Sequence, residues 1–552
     1  VPRAAVVLAL QFTLPLALAA HADVRPGAVA AEHRLAAEAG AEVLRLGGSA
    51  VDAAIAAAAA GCVVHPSSCG IGGGGFALIR LANGDAFALD FRERAPGAAT
   101  PDRFFDHGQP RPERLRHGGL AVAVPGEVAG WEALHAAFGT LPLAGVLAPA
   151  IRLARDGFAL DDTPHLRQQI ERQRDLLAAD PGLRAIFLTS TGQPPGAGFR
   201  IVQRDLGRTL ETIAARGVAA FYRGPLAASL VAAVHAHGGV LDVADLAAYR
   251  PLWRTPLFGS ARGRTLVTFP PPGSGGVVLE ALGILARENP RGADAGSARW
   301  LRLLAGAMAQ AFTDRARFYG DPDFTPVPVD ALLARPRLAR IAAALRAGAC
   351  SPVDTRPAAD GGTSNVSVVD DAGDAVVLTT TINTPFGAGF MAPRTGVILN
   401  DEMDDFALAA GVPNAYGLVG AAPNAVAPGK RPQSSMSPTI VVDGKRPELA
   451  AGGSGGPLII SGVLQVVLDV VAFGRDIEAA IAAPRIHDQG VPPVLLVEPA
   501  VPEATRQQLG RWCHPLRVMP SLGAVSAVGL ARDGTLRAAG DPRKDGGAAI
   551  VR

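Results

Sequence analysis

A hydroxyl that opens a strand directly after a glycine pair can do more than fill a sheet, and Thr363 is placed in that way behind Gly361-Gly362. The β-branched runs at 367–369 and 375–382 flank Asp371-Ala372-Gly373-Asp374, which predicts a hairpin with a short loop. If Val369 pairs with Ala375, Thr363 falls opposite Thr381, with Asn383 two residues further on the same face. A slip of one residue would turn the whole set to the other face. A hydroxyl is a weak nucleophile at neutral pH unless a base adjoins it, and a threonine that is also a chain terminus carries its own amine as that base. The chemistry on offer is acyl transfer through Thr363, and the Gly362–Thr363 bond must break first. The competing reading makes Thr363, Thr381 and Asn383 plain strand residues, since threonine is common in β-runs.

Several elements must position this hairpin. Residues 351–362 contain Pro352, Asp354, Pro357, Asp360 and the paired glycines without apolar periodicity, which predicts an exposed, mobile linker. Residues 30–60 are rich in Ala, Leu and Glu and broken at Gly47-Gly48, which predicts two helices, with Val51, Ile55 and Ala59 on one face of the second. Residues 76–89 alternate around Asn83-Gly84, a hairpin signal that places a strand pair just before Arg92. Residues 141–349 read as mostly helical, with a loop at 270–276, and no internal repeat is evident.

The 552 residues exceed what one growing core usually serves, so several domains and one large layered unit are both open. With 49% hydrophobic and 18% charged residues the balance is globular rather than disordered. The net charge of +2 shows no runs of either sign, which argues against a nucleic-acid surface or an acidic tail and favours a small-molecule substrate. Cys62, Cys69, Cys350 and Cys513 lack the close pairing of a zinc site and are expected as buried, unpaired thiols; no metal or cofactor is expected. Arg3, an apolar stretch over 4–20 and Ala20-His21-Ala22 predict a signal peptide over 1–22 and an exported protein, periplasmic or secreted. Gln11, Thr13 and Pro15 interrupt a segment already short for a bilayer span, so no stable membrane anchor is expected.

The stretch Gly362-Thr363-Ser364-Asn365-Val366-Ser367-Val368-Val369-Asp370, with Thr381-Ile382-Asn383 and Asn400-Asp401-Glu402-Met403-Asp404-Asp405-Phe406, closely resembles the γ-glutamyltranspeptidase (glutathione hydrolase) family. Further matches run in order: Gly47-Gly48-Ser49-Ala50-Val51-Asp52-Ala53, Gly70 to Phe76, Asp90-Phe91-Arg92-Glu93, Pro125 to Gly130, Lys430 to Thr439, and Gly452-Gly453-Ser454-Gly455-Gly456. The resemblance implies an α+β N-terminal-nucleophile hydrolase, a four-layer αββα sandwich in which two stacked sheets lie between helical layers. It also implies autoproteolysis into a large subunit, 23–362, and a small subunit, 363–552, that stay together as one catalytic unit.

On that resemblance Thr363 is the nucleophile, its α-amine the general base, and Thr381 the second hydroxyl that orients it. Arg92, Ser434 and Ser435 would hold the substrate α-carboxylate, which suits an Arg fork and hydroxyl donors. Asn383, Glu402 and Asp405 would accept from the α-ammonium, Gly455 and Gly456 would form the oxyanion hole, and Tyr416 would be the aromatic of a lid loop. The residues after Gly456 agree, because Pro457 suits the first turn of a helix whose Ile460, Val463, Leu464, Val467 and Val471 follow helical spacing. Taken singly, each has a plainer reading: Arg92 as a solvated charge, Glu402 and Asp405 as helix-start decoration, Ser434-Ser435 as a turn, the glycine runs as loops, Tyr416 as core.

The reaction implied is attack on a γ-glutamyl amide such as that of glutathione, followed by release to water or an amino-acid or peptide acceptor. A glutaryl (cephalosporin) acylase of the same fold is the alternative, against which the retained Asn383, Glu402 and Asp405 count. An unprocessed, silent exported binding protein is a third reading, resting on Asn365 alone. Bacterial members usually read Thr-Thr-His at the nucleophile, whereas this chain reads Thr363-Ser364-Asn365, and an amide neither titrates near neutrality nor acts as a base.

Overall fold

The hairpin forms in the register that its loop dictates: strands Gly362–Asp370 and Ala375–Asn383 pair antiparallel, with Val369 opposite Ala375 and Thr363 opposite Thr381. At the open end a bulge between Gly362 and Thr363 brings Gly362 opposite Asn383, and such a bulge re-aims the side chains beside it. This is a computed structural model that describes residues 24–288, 290, 294–348, 362–512 and 514–552. The predicted signal over 1–22, the predicted linker before Gly362, Cys350 and Cys513 lie outside the described residues. Among those described, no helix is long and apolar enough to cross a membrane.

The hairpin is central in a seven-stranded sheet ordered Gly547–Val551, Gly27–Ala31, Gly362–Asp370, Ala375–Asn383, Gly74–Arg80, Ala86–Phe91, Leu252–Arg254. Strands from before and after Gly362 are therefore hydrogen-bonded side by side within one ladder. The second sheet has six strands, ordered Leu536–Ala539, Ala524–Leu530, Arg446–Ser454, Thr439–Asp443, Arg264–Thr268, Leu257–Ala261, the first four from after Gly362 and the last two from before it. Of the two possibilities that length left open, the chain takes the single layered unit.

The sheets pack face to face, with strand Gly362–Asp370 against Arg446–Ser454 and Ala524–Leu530. Helix Ala50–Val64 covers the outer face of the first sheet; helices Leu458–Val471, Gly275–Leu285 and Ala298–Phe318 cover that of the second. The order is helix, sheet, sheet, helix, the four layers expected. Helix Ala50–Val64 differs from its expected one-sided pattern, because all 15 of its residues are buried. It is wedged among the sheet and helices Arg34–Arg45 and Leu143–Asp156, and its run of alanines allows those close approaches. The 141–349 stretch is largely helical as expected, but Leu257–Ala261 and Arg264–Thr268 are strands that complete the second sheet.

The glycines at 72–75 serve packing. A Cβ on Gly73 would collide with the Thr381 carbonyl oxygen and one on Gly75 with that of Thr379, so only glycine lets this strand lie so close behind the hairpin.

Candidate active site

At the open end of the hairpin, Thr363 and Thr381 are 4% and 3% exposed, with their hydroxyl oxygens 3.4 Å apart. The Thr381 hydroxyl donates to the carbonyl oxygen of Gly362 at 2.7 Å and accepts from the Asn383 backbone N–H at 2.8 Å. A short chain of hydrogen bonds therefore ends on the carbonyl of the bond that precedes Thr363. Thr363's own carbonyl accepts from Lys544 Nζ at 2.6 Å, and the same ammonium pairs with Glu32 at 2.6 Å and reaches Ser454 Oγ at 3.3 Å. Through Lys544 the first sheet is tied to Ser454, the residue before Gly455.

Gly455 and Gly456 take φ of 115° and 59°, a path that favours glycine, and helix Leu458–Val471 starts just beyond with Pro457 already helical in backbone. Tyr416 lies over this turn: a Cβ on Gly456 would stand 2.8 Å from its ring, and its hydroxyl donates to the Asn383 carbonyl at 2.6 Å. Tyr416 thus spans from the glycine turn to the end of the hairpin. Asn414 fixes the loop, accepting from the Tyr416 and Leu418 N–H groups and donating to Asp405 at 3.1 Å.

A pocket of charges begins where the hairpin ends. Asn383 donates through Nδ2 to the Asp401 carbonyl at 3.0 Å, and Glu402–Asp405 is the 3-10 turn that follows. Asn400 holds that turn, its Oδ1 accepting from Glu402 N and its Nδ2 donating to Gly72 and Ala123 carbonyls. Arg92, wholly buried at the end of strand Ala86–Phe91, donates to Glu402 and to Asp405 at 2.5 Å and lies 3.5 Å from Glu93. Its remaining donors reach the Pro432 and Gln433 carbonyls just before Ser434.

Burial opposes the charge on Arg92, but the attraction of Glu402, Asp405 and Glu93 outweighs it and the pKa rises. Burial pushes Glu402 well above the usual carboxylate range, Asp405 upward, and Glu93 to about 8, with Arg92 pulling each back. One Glu402 oxygen has no partner and is buried. Such an acceptor is costly to leave unpaired, and an ammonium would satisfy it. Ser434 and Ser435 are 2% and 7% exposed; Ser434 Oγ accepts from Met436 N and Ser435 Oγ from Arg315.

The γ-glutamyltranspeptidase family model matches residues 36–551. The chain belongs to that family. The glutathione hydrolase proenzyme of Escherichia coli K12 is 39% identical over 94% of this chain and 90% of its own length. An acylase ACY 1 proenzyme of Pseudomonas sp. V22 is also 39% identical, over 94% and 92%. Among solved structures, the cephalosporin acylase of Bacillus halodurans superposes with a TM-score of 0.85 at 29% identity, covering 98% of this chain and 99% of that one.

Of the residues that the family resemblance singled out, the structure brings together Thr363, Thr381 and Asn383 on the hairpin, Arg92 with Glu402 and Asp405, and Tyr416 with Gly456. Asn365, the departure from the family's bacterial motif, points into the space between the sheets. It accepts from Thr379 at 2.8 Å, donates to Ser367 at 3.2 Å and fills the room beside Gly452. Four residues whose side chains contact this group were not found from sequence: Lys544, Asn414, Arg315, and Ser274, which accepts from Arg315 and donates to the Ser434 carbonyl. Only a basic residue in the terminal Asp541-Pro542-Arg543-Lys544 turn could have hinted at the first.

His33, His65 and Asp545 bring their donor atoms within 4.8 Å of one another. Both ring nitrogens of His33 are already hydrogen-bonded, to Leu35 N and to the Asp162 carbonyl, and His65 pairs with Asp545 at 3.0 Å. The group reads as a hydrogen-bonded cluster that anchors the residue after Lys544.

Proposed function

We propose that this family member is a precursor that cleaves itself between Gly362 and Thr363, and that the freed Thr363 hydrolyses or transfers γ-glutamyl groups from substrates such as glutathione. The observation that carries the reading is the Thr381 hydroxyl donating to the Gly362 carbonyl beside the Thr363 hydroxyl. In cleavage Thr363 Oγ1 adds to the Gly362 carbonyl carbon, whose oxygen the Thr381 proton polarises. The C–N bond then breaks, the Thr363 nitrogen gains a proton, and an ester remains. Water hydrolyses that ester to leave the Gly362 carboxylate, a free hydroxyl and a free amine.

Cleavage releases Thr381 from the Gly362 carbonyl, so its hydroxyl becomes available to orient Thr363. In turnover the amine takes the hydroxyl proton as Oγ1 attacks the γ-carbonyl, and returns it to the departing amine. Gly455 and Gly456 are assigned to the oxyanion. Arg92, Ser434 and Ser435 would hold the α-carboxylate, and Asn383, Glu402 and Asp405 the α-ammonium. The γ-glutamyl ester passes to water or to an acceptor amine. The large piece, 23–362, and the small piece, 363–552, would remain one unit because both sheets hydrogen-bond strands from one piece to strands from the other. The N-terminal residue pattern supports export to the periplasm or beyond.

The acylase reading is kept as the alternative because acylase proenzymes stand among the relatives. The buried, unpartnered Glu402 oxygen favours a substrate with an α-ammonium. Denaturing gels and N-terminal sequencing should give two fragments, the smaller starting Thr363-Ser364-Asn365, and Thr363→Ala should stay a single chain. Processed protein should prefer a γ-glutamyl anilide to a glutaryl anilide by about a hundredfold or more in kcat/KM. The reverse preference would make it an acylase; an uncleaved, inactive wild-type chain would make it a binding protein.

A further inference from the structure

The helix Ala298–Phe318 sends Arg315 into the wall behind Ser434 and Ser435, where it is 2% exposed. A guanidinium buried so deeply normally has a carboxylate partner, because an uncompensated charge loses its hydration without recompense. Among the described residues Arg315 forms no ion pair; its bonds go to hydroxyls. Nε donates to Ser274 Oγ at 2.9 Å, and Nη2 to Ser435 Oγ at 3.3 Å. Burial lowers its pKa only to about 10, so it stays charged at neutral pH.

A guanidinium has donors and no acceptor, so any hydroxyl it touches must give its own proton elsewhere. The first arm shows this rule at work: Arg315 donates to Ser274, and the Ser274 proton goes on to the Ser434 carbonyl at 2.5 Å. On the second arm the Ser435 oxygen is likewise occupied as an acceptor, and its proton is directed away from Arg315. Arg92 is already engaged by Glu402, Asp405 and Glu93, which offset its charge toward an incoming anion. The pocket thus holds one cation bonded directly to acids and a second whose hydrogen bonds go only to hydroxyls, with Asp405 as the carboxylate whose charge reaches it.

We propose that Arg315 is a positioning residue for the substrate α-carboxylate: it polarises Ser435, aims that hydroxyl's proton at the carboxylate, and supplies the positive charge that Arg92 shares with its acids. The proposal rests on the γ-glutamyl reading above. It makes a specific demand on substrates that carry the carboxylate and none on those that lack it.

The test compares a γ-glutamyl anilide with 4-aminobutyryl anilide, the same molecule without the α-carboxylate, on fully cleaved protein. Arg315→Gln should raise KM for the γ-glutamyl compound about thirtyfold while kcat stays within about threefold, and should leave kcat/KM for 4-aminobutyryl anilide within about threefold. Arg315→Lys keeps the charge on fewer donors and should recover part of the loss. Because Arg315 acts through Ser435, the combined Arg315→Gln, Ser435→Ala variant should lose less than the product of the single losses. Equal falls with both substrates, or losses that multiply in the double variant, would make Arg315 a packing residue and overturn the proposal. If Arg315→Gln fails to fold or cleave, the same substrate comparison on Arg315→Lys decides. Wild-type protein that does not favour the γ-glutamyl compound would instead overturn the parent reading.

Discussion

The end of the Thr363 hairpin and the pocket around Arg92 lie side by side, yet they are built differently. The first is built on hydroxyls and backbone groups of one strand pair, joined in the chain Asn383 N–H to Thr381 to the Gly362 carbonyl, with the Lys544 ammonium on the Thr363 carbonyl behind it. The second gathers Arg92, Glu402, Asp405, Ser435 and Arg315 from distant stretches and sets charges against one another in a dry interior. Local pairing fixes the first, since once the loop sets the register the hydroxyls must meet. The second stands only because four layers of packing hold the charges in place. On the proposed function, reaction chemistry would sit on the centre of a sheet, and recognition beyond its end on residues gathered from several elements, where partners can be exchanged for a ligand.

The largest effect should come from breaking the hydroxyl chain itself. Thr381→Val keeps the strand and its volume but removes the proton on the Gly362 carbonyl, so self-cleavage should slow by about a hundredfold or more, the usual scale for one lost oxyanion donor. Thr381→Ser should cleave at close to the wild-type rate. Time courses on denaturing gels read both, and normal cleavage in the valine variant would remove Thr381 from the reaction.

An intermediate effect should fall on the charged pocket without reaching the hairpin. Asp405→Asn keeps shape and the bond to Asn414 while removing a negative charge facing Arg92. Cleavage should proceed, and kcat/KM for a γ-glutamyl anilide should fall about a hundredfold, roughly 2.7 kcal/mol of transition-state binding. Activity toward a glutaryl anilide should stay level or rise slightly. Equal losses with both compounds in processed enzyme would mean that Asp405 does not read the ammonium, and a failure to cleave would show that the two regions are not separable.

The smallest effect is expected at Asn365. Its amide bridges Thr379 and Ser367 toward the second sheet, and its hydrogen bonds reach neither Thr363 nor Thr381. Asn365→His should therefore change the cleavage rate by no more than about threefold, under 1 kcal/mol. A much faster variant would show that the imidazole of the bacterial relatives does serve as a base, and would tie the inter-sheet face to the chemistry.

Local sequence carried much of the hairpin. A short polar loop between β-branched runs fixes which residues oppose, and the alternation of faces then puts Thr363 and Thr381 together. The helix pair around Gly47-Gly48 and the strand pair around Asn83-Gly84 were legible for the same reason, since turn chemistry and periodicity act over a few residues. The two strands between 257 and 268 were not, because they are short: Leu257–Ala261 pairs only with Arg264–Thr268, and it is the pairing of Arg264–Thr268 with Thr439–Asp443, far along the chain, that seats both in the second sheet. The full burial of Ala50–Val64 was not either: alanine is neutral in pattern, and only neighbours decide whether its helix meets water.

Motif resemblance named Arg92, Glu402, Asp405, Ser434 and Ser435, but residue types alone could not say which charges would offset which. That was decided by tertiary structure, because charge pairing depends on separations of a few ångströms and on the exclusion of water, and neither has a linear signature. Lys544 beneath Thr363, and Arg315 behind Ser435, belong to the same class. In isolation each is one more basic residue in a chain with 52 lysines and arginines, and only the fold takes them out of water and gives Lys544 a carboxylate and a carbonyl, and Arg315 two hydroxyls, to face.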